Sequence, residues 1–374
     1  GIKSMRTCNY CLMDESAIEI VFDKNGICNF CKDFKKLLSK RIEIDDSQNS
    51  LNKIIEKIKK DGKNKDYDCV IGVSGGVDST FLAYKVKELG LRPLAAHFDN
   101  GWDSELSVIN IQNTVQKLGI DLITNVVDWE EFKDLQKSLL KASTPDGEVP
   151  SDHAVTGTLY WAANKYNIKY IITGLNYSEE GLLPKSWSYG HIDWPYIKGL
   201  HKQFGHVPII TYPYHTISKL FYYTFIKQIK RIGLLNYIDF TREGATKLIT
   251  NELGWKEYGW KHHESIYTRF WQAYVLPEKF GIDKRRAHLS NLICSGKITR
   301  KEALSELEKG RYQGHQLDQD MKYVIKKLGY TEVEFQEILG LPIKSFHDYK
   351  NNYNYHQKIR GLINYLRSKN ILFK

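Results

Sequence analysis

The residues best suited to chemistry lie in a loop rich in glycine and hydroxyl groups, at positions 72–80 (Gly-Val-Ser-Gly-Gly-Val-Asp-Ser-Thr). The loop follows an apolar run that predicts a buried strand, and it precedes apolar residues at helical spacing. Paired glycines let backbone N–H groups approach an anion closely, and the start of a helix adds the positive end of its dipole. The pattern therefore predicts a phosphate-binding loop.

Asp78 places a carboxylate inside this loop, where the hydroxyls of Ser74 and Ser79 supply further donors. A carboxylate beside phosphates is unfavourable unless a divalent cation such as Mg²⁺ bridges them. The Walker pattern is excluded, because no Lys-Ser or Lys-Thr pair follows a four-residue gap. A nucleotide accompanied by Mg²⁺ is the predicted ligand.

The second chemical signal is a group of cysteines near the start of the chain. Of the six cysteines, Cys8, Cys11, Cys28 and Cys31 form two C-x2-C pairs. This spacing is typical of a closed, structural zinc site with four cysteine ligands, and an iron–sulfur cluster is the alternative. Cys69 and Cys294 are interpreted as buried structural residues, since neither lies beside a partner histidine in the sequence.

The elements that must position the loop alternate between strand and helix. Four apolar runs, at residues 69–73, 94–98, 122–127 and 170–173, are separated by helical patterns. This alternation predicts an α/β fold, a doubly wound parallel sheet whose ligands bind at the carboxyl ends of the strands. Around it we expect a zinc-binding segment with the four cysteines (1–35), a helical linker (36–66), the ATP-binding unit (67–215) and a mostly helical C-terminal region (216–374).

The composition narrows the function classes. The net charge of +10, from 54 basic and 44 acidic residues, suits ATP, a nucleotide-sugar or RNA as ligand, and is equally consistent with a solvated basic surface. No stretch approaches the roughly 18 consecutive apolar residues of a membrane span. The sequence also lacks an export pattern, so a cytoplasmic protein is expected.

The loop resembles the PP-loop of the ATP pyrophosphatase superfamily, which includes GMP, NAD and asparagine synthetases and tRNA thiolases. Members bind adenine near the end of the second strand, here residues 96–99, and use a T-G-x-N type segment after the fourth, here residues 173–176. A glutamate just beyond that segment holds Mg²⁺ in the synthetases, which implies Glu180 or Glu179 beside Asp78. The nucleotide-binding residues that the resemblance implies are Ser74, Gly75, Gly76, Val77, Asp78, Ser79, Phe98, Gly174 and Asn176.

A wider set of motifs resembles the bacterial N-acetyl sugar amidotransferases, which act in the synthesis of surface polysaccharides such as lipopolysaccharide O-antigen and of pseudaminic-acid-type sugars. The similarity spans residues 5 to about 310, and it rests on the cysteine pairs, the loop and segments 97–102, 128–130, 150–153, 261–265 and 280–285. It implies that ATP adenylates the oxygen of an acetamido group and that ammonia then expels AMP, leaving an acetamidino group.

This resemblance also implies roles for individual residues. Ser74, Asp78, Lys261 and His262 are expected to be catalytic, and Asp99, Asp152, His153 and Arg269 to contact substrate. On the residues alone, segment 261–264 is equally consistent with an exposed polar turn, and Ser151 or Asp152 with a helix cap. The expected cofactors are ATP, Mg²⁺ and Zn²⁺. Ammonia is expected from partner subunits that resemble the glutaminase and cyclase of imidazole glycerol phosphate synthase.

Two alternatives share parts of these patterns. A tRNA thiolase has the loop, often an N-terminal zinc module, and basic charge, but sulfur transfer usually needs catalytic cysteines or an iron–sulfur cluster near the loop. A zinc-dependent nucleic-acid-binding module with a relic nucleotide site is the other, although the aromatic residues form no clear stacking platform beside basic clusters. The sequence does not identify the sugar.

Overall fold

The computed structural model describes residues 5–42, 47–259, 263–312 and 314–368. Its strands pair only in parallel and form a sheet in the order β3-β2-β1-β4-β5. The strands are β1 (Cys69–Gly72), β2 (Pro93–Asp99), β3 (Asp121–Val126), β4 (Tyr170–Thr173) and β5 (Lys230–Gly233). The predicted α/β fold class, with a parallel sheet, is confirmed.

The helices fall between the strands and dominate the chain after the sheet. In chain order they are α1 (Asn29–Ile42), α2 (Ser47–Gly62), α3 (Val77–Glu88), α4 (Glu105–Leu118), α5 (Trp129–Ala142), α6 (Val149–Lys165), α7 (Tyr177–Glu180), α8 (Trp194–Phe204), α9 (Ile217–Phe221), α10 (Arg242–Leu253), α11 (Ile266–Phe270), α12 (Leu276–Phe280), α13 (Arg285–Cys294), α14 (Arg300–Glu308), α15 (Gln316–Leu328), α16 (Glu332–Leu339) and α17 (Tyr353–Ser368).

Helices cover the sheet on both faces, as a doubly wound fold requires. On one face α3, α4 and α10 bury an apolar cluster that includes Phe81, Ile111 and Ile249. On the other face α6 packs Leu159 and Ala163 against β1, β2 and β4. Strand order reverses between β1 and β4, because the chain runs outward from β1 to β3 and returns to β4 on the other side. Such a reversal opens a crevice at the carboxyl ends of the two strands.

Local signals explain where several elements begin and end. The Ser104 side chain caps α4 by accepting a hydrogen bond from Ser107 N, and Gly119 closes that helix in the left-handed conformation. The sequence predicts both roles, because Ser104 precedes and Gly119 follows a run of apolar residues at helical spacing. Thr299 and Thr331 cap α14 and α16 in reciprocal capping boxes with Glu302 and Glu334.

Two segments differ from what their sequence patterns predict. The pattern of residues 217–233 predicts a single helix, but a helix ends at Ile226 and the chain then forms β5, hydrogen-bonded in parallel to β4. Strand β5 is an edge strand with exposed Lys230 and Arg231, so it lacks the apolar run that marks a buried strand. The sheet thus extends past the boundary predicted at residue 215. The pattern of residues 329–341 predicts a connection between helices, but residues 332–339 form α16.

The cysteine segment (residues 5–35) is seated on the C-terminal helices. The Leu12 side chain packs against Leu289 and Ile293 of α13, and Leu12 N donates to Ser290 Oγ at 3.0 Å. Arg300 donates to the carbonyl oxygens of Cys8 and Cys11, each at 3.3 Å. The run of residues 18–22 predicts a short strand from its sequence, but the structure has only an isolated bridge there, between Phe22 and Cys28. The two ends of the chain therefore share one packed region.

A buried ion pair ties α11 to α15. Arg269 donates from Nε and Nη2 to the two carboxylate oxygens of Asp320, at 2.6 and 2.7 Å, and both residues are buried. Tyr312 donates a further hydrogen bond to Asp320 at 3.1 Å. The bidentate geometry fixes the relative position of the two helices.

Within the described residues, none of the helices combines the length and the hydropathy that a membrane crossing needs.

Removing one partner of the buried Arg269–Asp320 ion pair leaves a buried, uncompensated charge. We expect Asp320→Ala to lower the free energy of unfolding by about 3–5 kcal/mol, measured by urea denaturation. Asp318→Ala is the matched control, because Asp318 is exposed on the same helix and its loss is expected to change stability by less than about 0.5 kcal/mol. Equal effects of the two substitutions would refute the structural role of the pair.

Candidate functional site

The loop after β1 adopts a backbone shape that requires glycine. Gly75 has φ of +78°, and a Cβ there would lie 2.4 Å from Ser107 O. The carbonyl oxygen of Gly75 accepts hydrogen bonds from Trp255 Nε1 at 2.9 Å and from Asn110 Nδ2 at 3.3 Å. Because a side chain on α4 and another from the C-terminal region both hold this peptide, its orientation at the start of α3 is fixed.

The loop hydroxyls form a small network at the loop opening. Ser74 Oγ and Ser79 Oγ are 3.2 Å apart, and Ser79 Oγ accepts from Ser74 N at 3.2 Å. Gly76 N donates to Ser74 Oγ at 3.3 Å. Ser74 and Ser79 both line a cavity of about 760 Å³ at the carboxyl edge of the sheet. Backbone N–H groups and hydroxyls at a helix start suit an anionic ligand.

The cavity is closed by segments from both halves of the chain. One wall comes from the ends of β1 and β2, with Val73, His97 and Phe98, and from Glu180 beyond β4. A second part of the lining comes from the C-terminal region, with Glu264, Lys284 and His288. Of the residues predicted from the sequence, those that line the cavity are Ser74, Ser79, Phe98, Asp152 and Glu180.

Two further predicted nucleotide residues stand just behind the lining. Gly174 packs against α3, since a Cβ there would lie 3.5 Å from Asp78 O and 3.6 Å from Asp78 Cβ. Asn176 is buried and caps α7, accepting hydrogen bonds from Ser178 N and Oγ. The T-G-x-N segment thus braces the loop, while Leu175 between them faces the cavity.

Three of the predicted substrate residues point elsewhere. His153 is fully buried, and its ring nitrogens bond to His191 O and His215 N. Arg269 is paired with Asp320, and Asp99 Oδ1 accepts from Gly101 N at 2.8 Å, closing the turn after β2. None of the three lines the cavity, so the structure does not bring them together with the loop. In each case the polar group already has an internal partner.

Lys261 and His262, predicted as catalytic, lie outside the described residues, and so does the side chain of Glu179. The residues that follow them are described. Ser104 N donates to Glu264 O at 2.9 Å, and Ile266 N donates to Trp102 O at 2.9 Å. These bonds attach the segment after His262 to the turn that follows β2, at the edge of the cavity.

The sequence did not reveal a polar cluster that lines the same cavity. Lys284 Nζ donates to Glu148 Oε2 at 2.6 Å, and Gln272 Nε2 donates to Glu148 Oε1 at 2.8 Å. Asp152, nearby on the first turn of α6, is exposed to the cavity although it lies inside the protein envelope. Burial and the charge of Glu148 raise the pKa of Asp152 to about 7, against the opposing effect of Lys284. These residues come from distant parts of the chain, so no local motif marked them.

His97 occupies the wall between the loop and the turn after β2. Its Nδ1 lies 2.8 Å from Val73 O, and its Nε2 lies 2.8 Å from Asp103 Oδ2. Burial disfavours the charged ring, but the Asp103 carboxylate and the Val73 carbonyl outweigh burial, so the pKa of His97 is raised. The ring thus links the end of β1 to the segment that carries Asp103.

The four N-terminal cysteines converge on one point. Their sulfur atoms all lie within 4.8 Å of one another, with the shortest separations between 3.6 and 3.9 Å, and all four residues are buried. Four sulfurs each about 2.3 Å from a central ion lie roughly 3.8 Å apart. Backbone N–H groups of Tyr10, Cys11, Met13 and Cys28 point at the sulfurs. The donor set therefore fits a tetrahedral metal ion.

Cys294, at the end of α13, lies against this cluster. Its sulfur is 3.8 Å from the sulfur of Cys31, a contact that joins residues far apart in sequence. Cys69 is buried in β1, where burial raises the pKa of its thiol. Neither residue lines the cavity, which agrees with their interpretation as structural.

One family model and several solved structures are similar to parts of this chain. Residues 264–360 match the family model described as LPS biosynthesis protein WbpG-like, C-terminal domain, and no curated protein matches the chain. Similar solved structures include the NH3-dependent NAD synthetase from Campylobacter jejuni (TM-score 0.29, 18% identity, 55% of this chain and 85% of that one). Another is the NMN synthetase from Francisella tularensis (TM-score 0.28, 16% identity, 60% of this chain and 90% of that one). A third is the U34-tRNA thiolase from Methanococcus maripaludis (TM-score 0.32, 14% identity, 82% of this chain and 90% of that one). With TM-scores this low, the fold assignment rests on the strand order and the loop.

The cysteine geometry predicts which thiols hold the metal. We expect Cys28→Ser to lose the bound ion and to destabilise the cysteine segment, because four thiolates are needed to close the site. Cys294→Ser is the matched control and is expected to retain the metal. Inductively coupled plasma mass spectrometry of the purified variants measures this, and full metal occupancy in Cys28→Ser would contradict the assignment.

The raised pKa of Asp152 predicts a change of stability with pH. An aspartate in an unfolded chain has a pKa of about 3.9, whereas Asp152 in the fold titrates near 7. Between these values the folded state binds more protons than the unfolded state does, so the free energy of unfolding falls as the pH rises. This decrease in stability is complete above about pH 7. Asp152→Asn removes the titrating carboxyl group and with it this decrease in stability.

We therefore expect the Tm of Asp152→Asn to exceed that of the wild type by about 2 °C or more at pH 8, and by less at pH 5. Because the carboxylate faces cavity water, screening reduces the size of the effect and the change with pH is the test. Exposed Asp66→Asn is the control. A Tm difference that is the same at both pH values argues against a raised pKa.

Proposed function

We propose that the protein is an ATP-dependent, AMP-forming amidotransferase that converts the acetamido group of an N-acetylated sugar into an acetamidino group. The observation that carries the proposal is the composition of the cavity. Its lining includes Ser74 and Ser79 of the phosphate-binding loop together with Glu264 and Arg311, which lie inside the segment that matches the WbpG-like family. An anion-binding loop and a segment similar to a lipopolysaccharide-synthesis protein thus face the same space.

The loop suits the triphosphate of ATP. The Gly76 N–H and the hydroxyls of Ser74 and Ser79 lie at the start of α3, where the helix dipole adds to their effect. Phe98 at the end of β2 supplies an apolar surface for the adenine. Asp78 and Glu180 would hold Mg²⁺, which supplies neutralisation of phosphate charge when it is bound.

The reaction has two steps, which this cavity must hold in one geometry. The acetamido oxygen bonds to the α-phosphorus, pyrophosphate leaves and the amide nitrogen gives up its proton to water, which forms an O-adenylyl imidate. Ammonia then adds to the imidate carbon, and the C–O bond breaks so that AMP leaves with the oxygen. Asp152, Glu148 and Lys284 line the same cavity, and we propose that they orient the sugar.

The positions of the cysteines support an external source of ammonia. All six are described, and none lines the cavity, so a thiol nucleophile for glutamine hydrolysis has no place there. Ammonia would come from glutaminase and cyclase-like partner subunits. The same observation disfavours the tRNA thiolase alternative, since sulfur transfer needs a thiol or a cluster at the loop.

We also propose zinc as the ion at the cysteine cluster. The sulfur separations suit one central ion, whereas a cubane iron–sulfur cluster holds its thiolates on separate iron atoms. In the proposed organisation, the zinc-binding segment (1–35) and the helical linker (36–66) precede an ATP-binding unit that extends to Gly233. The helical region follows, and the whole is proposed to act in the cytoplasm.

The loop assignment predicts a loss of ATP cleavage. We expect Asp78→Asn and Ser74→Ala each to lower the rate of AMP formation by about a hundredfold or more, because each removes a group that acts on the phosphates. The measurement is AMP release by chromatography, with circular dichroism to confirm the fold. Asp66→Asn, an exposed aspartate just before β1, is the control and is expected to match the wild type.

The reaction class is tested by mass spectrometry. Candidate acetamido nucleotide-sugars are incubated with the protein, ATP, Mg²⁺ and ammonium, and we expect a product about 1 Da lighter that appears together with AMP. AMP formation without this mass change would support the assignment of the ATP site and exclude the amidination reaction. A sulfur-containing RNA product would replace the proposal by tRNA thiolation.

A further inference from the structure

Glu264 is held directly above the phosphate-binding loop by backbone contacts. Its carbonyl oxygen accepts from Ser104 N at 2.9 Å, and the neighbouring Ser265 forms an isolated antiparallel bridge with Asp103. Ser104 is also the cap of α4, so the position of Glu264 is tied to the same framework that supports Gly75. A residue far away in the sequence is thereby fixed beside the loop.

The side chain of Glu264 reaches the loop itself. Ser74 Oγ donates to Glu264 Oε1 at 3.3 Å. A Cβ at Gly76 would lie 3.0 Å from Glu264 Oε1 and 3.1 Å from the Tyr258 hydroxyl oxygen. Gly76 therefore leaves room for a carboxylate and a phenol on the face of the loop where an anion is expected.

The charges at this point are unfavourable without a cation. Asp78 on the loop is close enough to Glu264 to interact with it electrostatically, so two carboxyl groups share this place. Glu264 Oε2 is inaccessible to solvent and has no hydrogen-bond partner among the described residues. ATP phosphates bound in the loop would bring further negative charge to the same place. A buried carboxylate with an unsatisfied oxygen beside phosphates is the setting in which Mg²⁺ binds.

We propose that Glu264 is a ligand of the divalent cation that accompanies ATP, sharing the ion with Asp78. This extends the proposed function, since it rests on ATP binding in the loop and adds a carboxylate from the C-terminal region to the expected pair of Asp78 and Glu180. Cation binding would then add a metal-mediated link between the C-terminal region and the loop.

The test measures metal binding in the absence of sugar and of catalysis. Mn²⁺ replaces Mg²⁺, α,β-methylene-ATP replaces ATP because its α–β bridge resists cleavage, and free Mn²⁺ is followed by electron paramagnetic resonance. Glu264→Gln keeps the shape and removes the charge. We expect it to raise the dissociation constant of Mn²⁺ in the ternary complex by about tenfold or more, with the fold unchanged by circular dichroism.

Two further variants serve as controls. Glu257→Gln changes an exposed glutamate on the same segment and is expected to bind Mn²⁺ as the wild type does, while Asp78→Asn is expected to weaken binding as Glu264→Gln does. Unchanged Mn²⁺ affinity in Glu264→Gln overturns the proposal. So does tighter binding of the metal-free nucleotide without loss of Mn²⁺, because Glu264 would then be an occupant of the phosphate position.

The two proposals fail in different ways. If the wild type binds neither the nucleotide nor its Mn²⁺ complex, the ATP site itself is wrong and both fall. If Mn²⁺ binding depends on Glu264 while no sugar is amidinated, the cation ligand stands and the sugar reaction is excluded.

Discussion

The divergence of β1 and β4 is the constraint on which the site depends. Parallel strands whose connections leave in opposite directions open a crevice at their carboxyl ends, and here the loop of residues 72–76 lies in that crevice with Gly75 in a conformation that only glycine adopts easily. An opening of this kind exposes helix N–H groups on one side only. The cavity therefore needs a second wall, and the chain supplies it from residues 263–311.

That second wall is held by contacts that reach back to the start of the chain. Helix α13 places Lys284, Arg285 and His288 at or near its first turn against the cavity, while its last residue, Cys294, touches Cys31. A metal ion in the cysteine cluster would thus stabilise the far end of a helix whose near end lines the site. The buried contacts of Leu12 with Leu289 and Ile293 hold the cysteine segment against the same helix.

The sequence was sufficient for features that depend on local pattern. The strands β1 to β4, the loop, the caps of α4 and the convergence of four cysteines all follow from short-range rules, and the structure agrees with them. Strand β5 escaped because an edge strand with Lys230 and Arg231 has no apolar run. The cluster of Glu148, Gln272 and Lys284 escaped because its members are far apart in sequence. Only the folded chain brings such groups together.

The predicted substrate residues that do not line the cavity show how a structural residue differs from a candidate site residue. His153 and Arg269 were attractive because of their chemistry, yet their polar atoms bond to His191 O, His215 N and Asp320, so burial costs them little. Glu264 is different, because its inner oxygen lacks a partner among the described residues and its other oxygen meets Ser74 of the loop. Unsatisfied buried groups elsewhere, such as Trp271 Nε1, do not touch the loop. An incomplete set of bonds therefore indicates function only where it coincides with an anion-binding geometry, and in this chain the two coincide at Glu264.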